Sequence, residues 1–328
     1  MNTYELLIRN TEEVVTDQEV RELAAEPADK RVYVGYEPSG VLHLGHLLTA
    51  NKLIDAQEAR MDVVVVLLAD VHAHLNGKGS FEEIHETAER MRAQFAAYGL
   101  DEEKTEYVYG SDFQLEAYYS LDLHELGVST TLNRAKRAVA ELQSGDTATV
   151  SHTVYPLMQV LDFEFLGIDL AVGGTDQRKV HMLAREKLPE LGYEVRPCLH
   201  TPILADLETG EGKMSSSEGT TISMEDSTDD LERKIETAFC PPTRDPEGDR
   251  ENPVLQLFEY YVFSRFESVI VRRPEKYGGN QTYDCYDDLA AALESGELHP
   301  ADAKETVAGY LDELIAPGRK MLRELPSE

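Results

Sequence analysis

The sequence predicts an α/β chain in two parts: a doubly wound parallel sheet with a helical insertion, then a mainly helical C-terminal region. Three observations lead there. Met61 to Asp70 (MDVVVVLLAD) is a near-continuous apolar run, as a strand covered on both faces of a parallel sheet requires. Strand-like and helix-like stretches alternate through the first two thirds of the chain, the order that builds βαβ units of the Rossmann-like kind. After about residue 226 the strand pattern stops and helical spacing takes over.

Taken in order, Arg31 to Tyr36 (RVYVGY) alternates as a core strand and runs into the turn Glu37-Pro38-Ser39-Gly40. From Leu44 onward, LGHLLTANKLIDAQEA has apolar residues at helical spacing. Ser80 to Tyr98 reads as a helix opened by Ser80 and Glu83 at capping-box spacing. Thr105 to Tyr109 and Asp169 to Gly173 read as further strands, and Gly173-Gly174 turns the chain into a helix from Thr175 to Leu191. The stretch between, Ser111 to Leu166, is mostly helical in pattern. In the last region Ser227 to Ala238, Val254 to Phe266, Tyr283 to Ser295 and Ala301 to Ala316 read as helices. These readings set a boundary at 225/226, with a connective segment over about 111–166.

Two short motifs lie about 170 residues apart. His43-Leu44-Gly45-His46 falls on the first turn of a helix after a strand, where free backbone N–H groups and the helix dipole favour anions. The two histidines share a face and can donate to phosphate oxygens, and Gly45 leaves room for a flat ring against the helix. Lys213-Met214-Ser215-Ser216-Ser217 is bracketed by Gly210, Gly212 and Gly219, giving a point charge and hydroxyl donors on a hinged loop. Alone, the first motif reads equally as a surface pair or half a metal site, and the second as a solvated loop. No third ligand of matching spacing accompanies the histidines.

With 328 residues, 41 % of them hydrophobic, the chain is long enough for about two cored domains. No apolar run approaches the ~20 residues of a membrane span, and the acidic, amphipathic N-terminus is unlike a signal peptide. Cys198, Cys240 and Cys285 are odd in number and lack a CxxC, which points to reduced thiols in a cytoplasm. Acidic residues outnumber basic ones 62 to 31, for a net charge of −31. Spread along the whole chain and combined with few lysines, this predicts adaptation to molar internal salt, where charge repulsion is screened.

Together the motifs resemble those of class I aminoacyl-tRNA synthetases of the tyrosine branch, in their compact archaeal and eukaryotic form. YVGYEPSG (33–40), VYPLMQVLD (154–162) and VGGTDQRKVHMLARE (172–186) resemble that branch in order and spacing, so that the likeness covers almost the whole chain. It implies activation of L-tyrosine by ATP and transfer to tRNA(Tyr), with Mg2+ accompanying the substrate phosphates. It further implies that Tyr33 and Asp162 read the phenol, and that Tyr155, Gln159 and Gln177 bind the α-amino group. Tyr155, Gln159 and Asp162 stand at i, i+4 and i+7, a polar stripe where a buried helix would continue apolar. Leu67, His72, Phe113 and Gln114 are further pocket candidates.

The resemblance assigns Gly35, Glu37, His43, Gly45, His46, Lys213 and Ser216 to ATP, with His43, His46, Lys213 and Ser216 as catalytic donors. For tRNA it implies Arg134, Lys136, Arg137, Arg178 and Lys179 at the acceptor end, and Tyr277, His299 and Asp302 at the first anticodon base. Residues 226–328 then form the anticodon-binding part, and the connective segment a homodimer interface. Glu218 departs from relatives that carry a second basic residue after the serines. The rivals are a tryptophanyl synthetase, a non-catalytic RNA-binding relative and an HxGH adenylyltransferase. Asp162 with Tyr33 suits a phenol better than an indole, the signatures are intact, and adenylyltransferases are shorter. Neither DNA nor a membrane is an expected partner.

Overall fold

In the computed structural model of the chain, described for residues 1–138, 149–214 and 221–324, the sheet has six strands. In chain order these are β1 (Glu13–Val15), β2 (Arg31–Tyr36), β3 (Val63–Leu68), β4 (Thr105–Tyr109), β5 (Leu170–Gly174) and β6 (Cys198–Thr201). Their spatial order is β1-β6-β5-β2-β3-β4, all parallel except β1, which pairs antiparallel with β6 at one edge. The chain builds outward from β2 through β3 to β4, then switches sides to β5 and β6. That is the doubly wound topology expected. β1 and β6 were not expected, being only three and four residues long.

The switch point lies between β2 and β5, and there the sheet opens. β2 pairs with β3 over six residues but with β5 only at Val32↔Leu170 and Tyr33↔Ala171. Beyond those rungs the carboxyl ends of the two strands are unpaired with each other, which leaves the crevice where ligands of such sheets bind. Val64, Val65, Val66 and Leu68 of β3 are wholly buried, as the apolar run predicts.

Tertiary packing divides the chain into Met1–Gly40, Lys52–Arg92 and Gly99–Pro202 on one side and Val41–Asn51, Ala93–Tyr98 and Ile203–Glu328 on the other. The break after residue 202 follows the end of the last sheet strand rather than the expected 225/226. The first unit holds the sheet and the connective helices Ala117–Ser129, Leu132–Ala138 and Ser151–Phe165. The second gathers the start of helix Leu44–Glu58 with the C-terminal helices because its groups bond there. Tyr261 Oη donates to the Leu44 carbonyl at 2.6 Å, and Asn51 Nδ2 to the Tyr260 carbonyl at 3.1 Å.

In the second unit the helices are Thr228–Glu236, Pro253–Leu257 continued by a π turn Phe258–Val262 and by Phe263–Arg265, Tyr286–Ser295, and Pro300–Glu324. The expected helix from Tyr283 starts three residues later, because Gln281–Tyr283 is a strand, β8, paired antiparallel with β7 (Val269–Val271). Three-residue strands give too little alternation to register as a pattern. Ser80 caps Phe81–Tyr98 as predicted, its amide donating to Glu83 Oε2 at 2.8 Å. Among the described residues the three cysteines are free, and no helix is long and apolar enough to cross a membrane.

Candidate active site

In the first unit Asp162, on helix Ser151–Phe165, is fully buried. Its Oδ1 accepts from Gln114 Nε2 at 2.8 Å and lies 2.9 Å from the Tyr119 hydroxyl. Its Oδ2 is buried with no hydrogen-bond partner. Burial pushes the carboxyl up to about 7 although the Gln114 and Tyr119 contacts pull the other way. Tyr33, also buried, lies over Gly35, where an added Cβ would come within 2.6 Å of the phenol oxygen. Burial, then the charge of Asp162, raises the Tyr33 phenol well above its ordinary value, so it stays a donor.

Helix Ser151–Phe165 carries Tyr155, Gln159 and Asp162 on one face. The Tyr155 phenol is raised by burial and then by the charges of Glu37 and Asp162. The His72 ring meets Tyr155 edge-on at 4.4 Å, and burial lowers that imidazole to about 4, so it is neutral. Gln177, in the short turn Thr175–Gln177 that follows β5, receives a long contact of 3.4 Å from Gln159 Nε2, while Gln159 Oε1 is buried with no partner. The structure thus brings Tyr33, Tyr155, Gln159, Asp162 and Gln177 together around the crevice. Leu67 lies beside Gly35, Phe113 meets Tyr119 edge-on at 5.6 Å, and Gln114 bonds Asp162 directly.

In the second unit the His43 and His46 rings lie against each other, tilted by 30° with centroids 3.8 Å apart. Two backbone amides define their tautomers. Gly45 N donates to His43 Nδ1 at 3.1 Å and His43 N donates to His46 Nδ1 at 3.3 Å. With each Nδ1 an acceptor, the ring proton of a neutral imidazole sits on Nε2. Burial, with the Lys213 charge adding to it, lowers His43 to about 4. His46 is held well below its ordinary value by burial, His43 and Lys213. The pair is therefore two neutral Nε2–H donors. At Gly45 the His43 ring lies against the bare α-carbon, its Cε1 and Nδ1 3.0 and 3.1 Å from where a Cβ would stand.

The first motif is tied by backbone to the stretch 222–224, past the second motif. Leu44 N donates to the Ile222 carbonyl at 3.0 Å and Met224 N to the Leu42 carbonyl at 2.9 Å, around a bridge between His43 and Ser223. Lys234 Nζ secures the same stretch through the Thr221 carbonyl at 2.7 Å and both Asp226 oxygens at 2.9 and 2.7 Å. Ser216 and Glu218 lie outside the described residues.

Of the tRNA candidates, Arg134 and Arg137 are on helix Leu132–Ala138, and Arg178 and Lys179 open helix Arg178–Lys187. Arg134 pairs with Glu186 at 2.9 Å and Arg178 with Glu13 at 2.7 Å. Tyr277 is exposed beneath Lys276, whose Nζ is 4.6 Å from the ring centroid. His299 is exposed at the start of helix Pro300–Glu324 and accepts from Ala301 N through Nδ1 at 3.1 Å, while Asp302 lies 3.9 Å from Arg273. Sequence reasoning missed Tyr119, because a second tyrosine in a helix of mixed pattern carries no signal of what it faces.

The family model of the tRNA synthetases class I (W and Y) matches residues 26–316. A tyrosine–tRNA ligase of Halobacterium salinarum is 68 % identical over 328 residues, covering all of both chains. One of Halorubrum lacusprofundi is 64 % identical and covers 99 % of this chain and all of the relative. The crystal structure of the Archaeoglobus fulgidus tyrosyl-tRNA synthetase complexed with L-tyrosine superposes with a TM-score of 0.92 at 49 % identity, covering 98 % of each chain. The resemblance carried by the sequence motifs thus holds over the whole length, and the chain belongs to the class I tRNA synthetases of the W and Y family, among its tyrosine–tRNA ligases.

Proposed function

We propose that this tyrosine–tRNA ligase selects its amino acid at Asp162 and Tyr33 and holds the phosphates of ATP with His43, His46, Lys213 and Ser216. The observation that carries the reading is Asp162 Oδ2, a buried acceptor without a donor beside a phenol that stays protonated. A substrate phenol donates to that oxygen and accepts from Tyr33. Phenylalanine leaves both groups unpaired in a dry site, which costs the full desolvation penalty. Sites that bond a hydroxyl reject the analogue lacking it by about 10⁴ to 10⁵, a range that tyrosine synthetases themselves helped to define. The α-ammonium group goes to Tyr155, Gln159 and Gln177, where Gln159 Oε1 likewise lacks a partner.

The tyrosine carboxylate attacks the α-phosphorus in line; a C–O–P bond forms and the bond to pyrophosphate breaks. No protein nucleophile is needed, and the chain contributes orientation and donors where charge develops. The sequence resemblance further assigns Gly35, Glu37 and Gly45 to the nucleotide. Magnesium arrives with ATP as part of the substrate, and among the described residues no three His, Cys, Asp or Glu side chains form a group able to hold a metal. The tyrosyl group then passes to the terminal adenosine of tRNA(Tyr), in the cytoplasm. Arg134, Arg137, Arg178 and Lys179 receive the acceptor end, with phosphate displacing Glu186 and Glu13 from the two paired arginines. In residues 226–328, Tyr277 offers an exposed ring for stacking on the first anticodon base, and His299 and Asp302 its polar partners.

Helix Ala117–Ser129 exposes Tyr118, Leu121 and Val128 on one face, with Leu115 and Leu132 beside it also exposed. That stripe supports a homodimer through the connective segment. The assignment is tested by pyrophosphate exchange across amino acids in molar potassium chloride, chosen because a net charge of −31 needs a Debye length of ~3 Å to be screened. Tyrosine alone is expected to support exchange; equal activity with tryptophan would overturn the assignment.

A further inference from the structure

Beside β5 lies a polar chain that the assignment above leaves unused. Glu13 and His200 face each other as direct partners across the antiparallel pair β1–β6, with Glu13 Oε2 2.9 Å from His200 Nδ1. His200 Nε2 is 3.0 Å from His181 Nδ1. His200 is wholly buried and His181 is 5 % exposed. At the outer end Arg178 Nε donates to the same Glu13 oxygen at 2.7 Å.

Counting protons fixes both tautomers. The Arg178 hydrogen bond holds Glu13 below the usual carboxylate range, so Glu13 only accepts and His200 carries its proton on Nδ1. Burial lowers His200, and burial with His200 beside it lowers His181 to about 3, so both rings are neutral. A neutral His200 has its lone pair on Nε2, and His181 must donate to it from Nδ1. The His181 ring is thereby held in one tautomer and one orientation.

That ring supports both ends of the amino-acid pocket. A Cβ on Gly173 would meet Gln177 Cβ and Cγ at 3.0 and 3.1 Å and His181 Cε1 at 3.1 Å, so the glutamine stem and the imidazole lie together on the bare α-carbon. On its other side His181 meets Phe163 edge-on at 5.4 Å, and Phe163 meets Tyr33 edge-on at 5.6 Å. We infer that His181, locked by His200 and Glu13, is a positioning residue for tyrosine, setting Gln177 at the ammonium end and Tyr33, through Phe163, at the phenol end. This rests on the assignment of Gln177 and Tyr33 to the amino-acid pocket.

The ring nitrogens of the ¹⁵N-labelled full chain test the lock directly by NMR. Both His181 and His200 are expected as neutral Nδ1–H tautomers near pH 7, and a proton on His200 Nε2 would overturn the proposal without any variant. Glu13→Ala removes the acceptor, so the tautomers of both rings are expected to change and KM for tyrosine to rise about tenfold, as for one hydrogen bond in a network, with kcat and KM for ATP unchanged. Glu13→Gln keeps an oxygen that accepts from Nδ1–H and is expected to restore the wild-type KM. An unchanged KM for tyrosine in the alanine variant, an equal rise in both variants, or a joint decline of kcat and both KM values would each refute positioning. Failure of the pocket assignment itself is seen separately, as wild-type protein that does not favour tyrosine in exchange.

Discussion

The pocket around Asp162 and the histidine pair at His43 and His46 hold their polar groups in opposite ways. In the pocket Asp162 Oδ2 and Gln159 Oε1 are buried acceptors without a donor. In the histidine pair the backbone occupies both acceptors, so each neutral ring carries its proton on Nε2 as a donor. The first arrangement suits a substrate end that brings donors, a phenol and an ammonium; the second suits phosphate, which brings only acceptors. The histidine pair carries no full charge, and the carboxyl that reads the phenol is wholly buried, where bulk salt does not reach it. Burial lifts Asp162 towards neutrality and lowers both histidines to it. In a chain of net charge −31, recognition by fixed dipoles and unpaired lone pairs is insensitive to the screening that molar salt imposes on surface charge.

If the two regions act separately, each breaks alone. The largest effect is expected from His46→Ala, which removes a phosphate donor from a water-poor site. Pyrophosphate exchange should fall by about 10² to 10³, while the dissociation constant for tyrosine, measured by calorimetry without ATP, stays at the wild-type value. A parallel loss of tyrosine binding would show that the regions are not separable. Next comes Asp162→Ala, expected to lower the ratio of kcat/KM between tyrosine and phenylalanine by at least about 100-fold with KM for ATP unchanged. An unaltered ratio would mean that another group reads the hydroxyl.

How much of this was legible differs between the regions. The histidine pair was readable because its two residues and the glycine between them are contiguous and open a helix, so spacing alone put them on one face. What spacing did not reveal is that the His43 ring itself packs against Gly45. In the pocket, Tyr155, Gln159 and Asp162 were visible as a polar stripe on one helix. Tyr119 was not, because its role comes from a contact 43 residues away in sequence. β3 declared itself through a long apolar run and β2 through its alternation, whereas β1, β6, β7 and β8 are too short for period two to emerge. The relay through Glu13, His200 and His181 needs the β1–β6 pairing before it exists at all.

A smaller effect follows from the carboxyl of Asp162 standing at about 7 in the pocket without substrate. A phenol that donates to Oδ2 favours the ionised form. If Asp162 were protonated, it and Tyr33 would both offer donors to one phenol oxygen and the phenol proton would have no acceptor. Tyrosine binding should therefore release a proton, with affinity rising as pH increases towards 7 and levelling above it, while the affinity for phenylalanine stays flat. Calorimetry in buffers of different ionisation enthalpy reads the proton directly. Equal pH profiles for the two amino acids would break the link between Asp162 and the hydroxyl.

The finest test uses the residue the sequence concealed. Tyr119 Oη lies 2.9 Å from Asp162 Oδ1 and 2.8 Å from the Met158 carbonyl, and it has one proton to share between them. When Asp162 is ionised that proton goes to Oδ1; when Asp162 is protonated the hydroxyl can turn to Met158 and accept from the acid. Tyr119→Phe removes this adjustment and leaves Gln114 as the one donor described on Oδ1. With a donor to the ionised form lost, the Asp162 carboxyl should rise further, and the midpoint of the pH profile for tyrosine binding should move above 7 in the same direction. The cost in stability should be about 1 kcal/mol, that of one buried hydrogen bond, seen as a modest fall in Tm. A midpoint that stays in place while Tm falls would show that Tyr119 only fills space, and that Gln114 alone sets the carboxyl that reads the substrate.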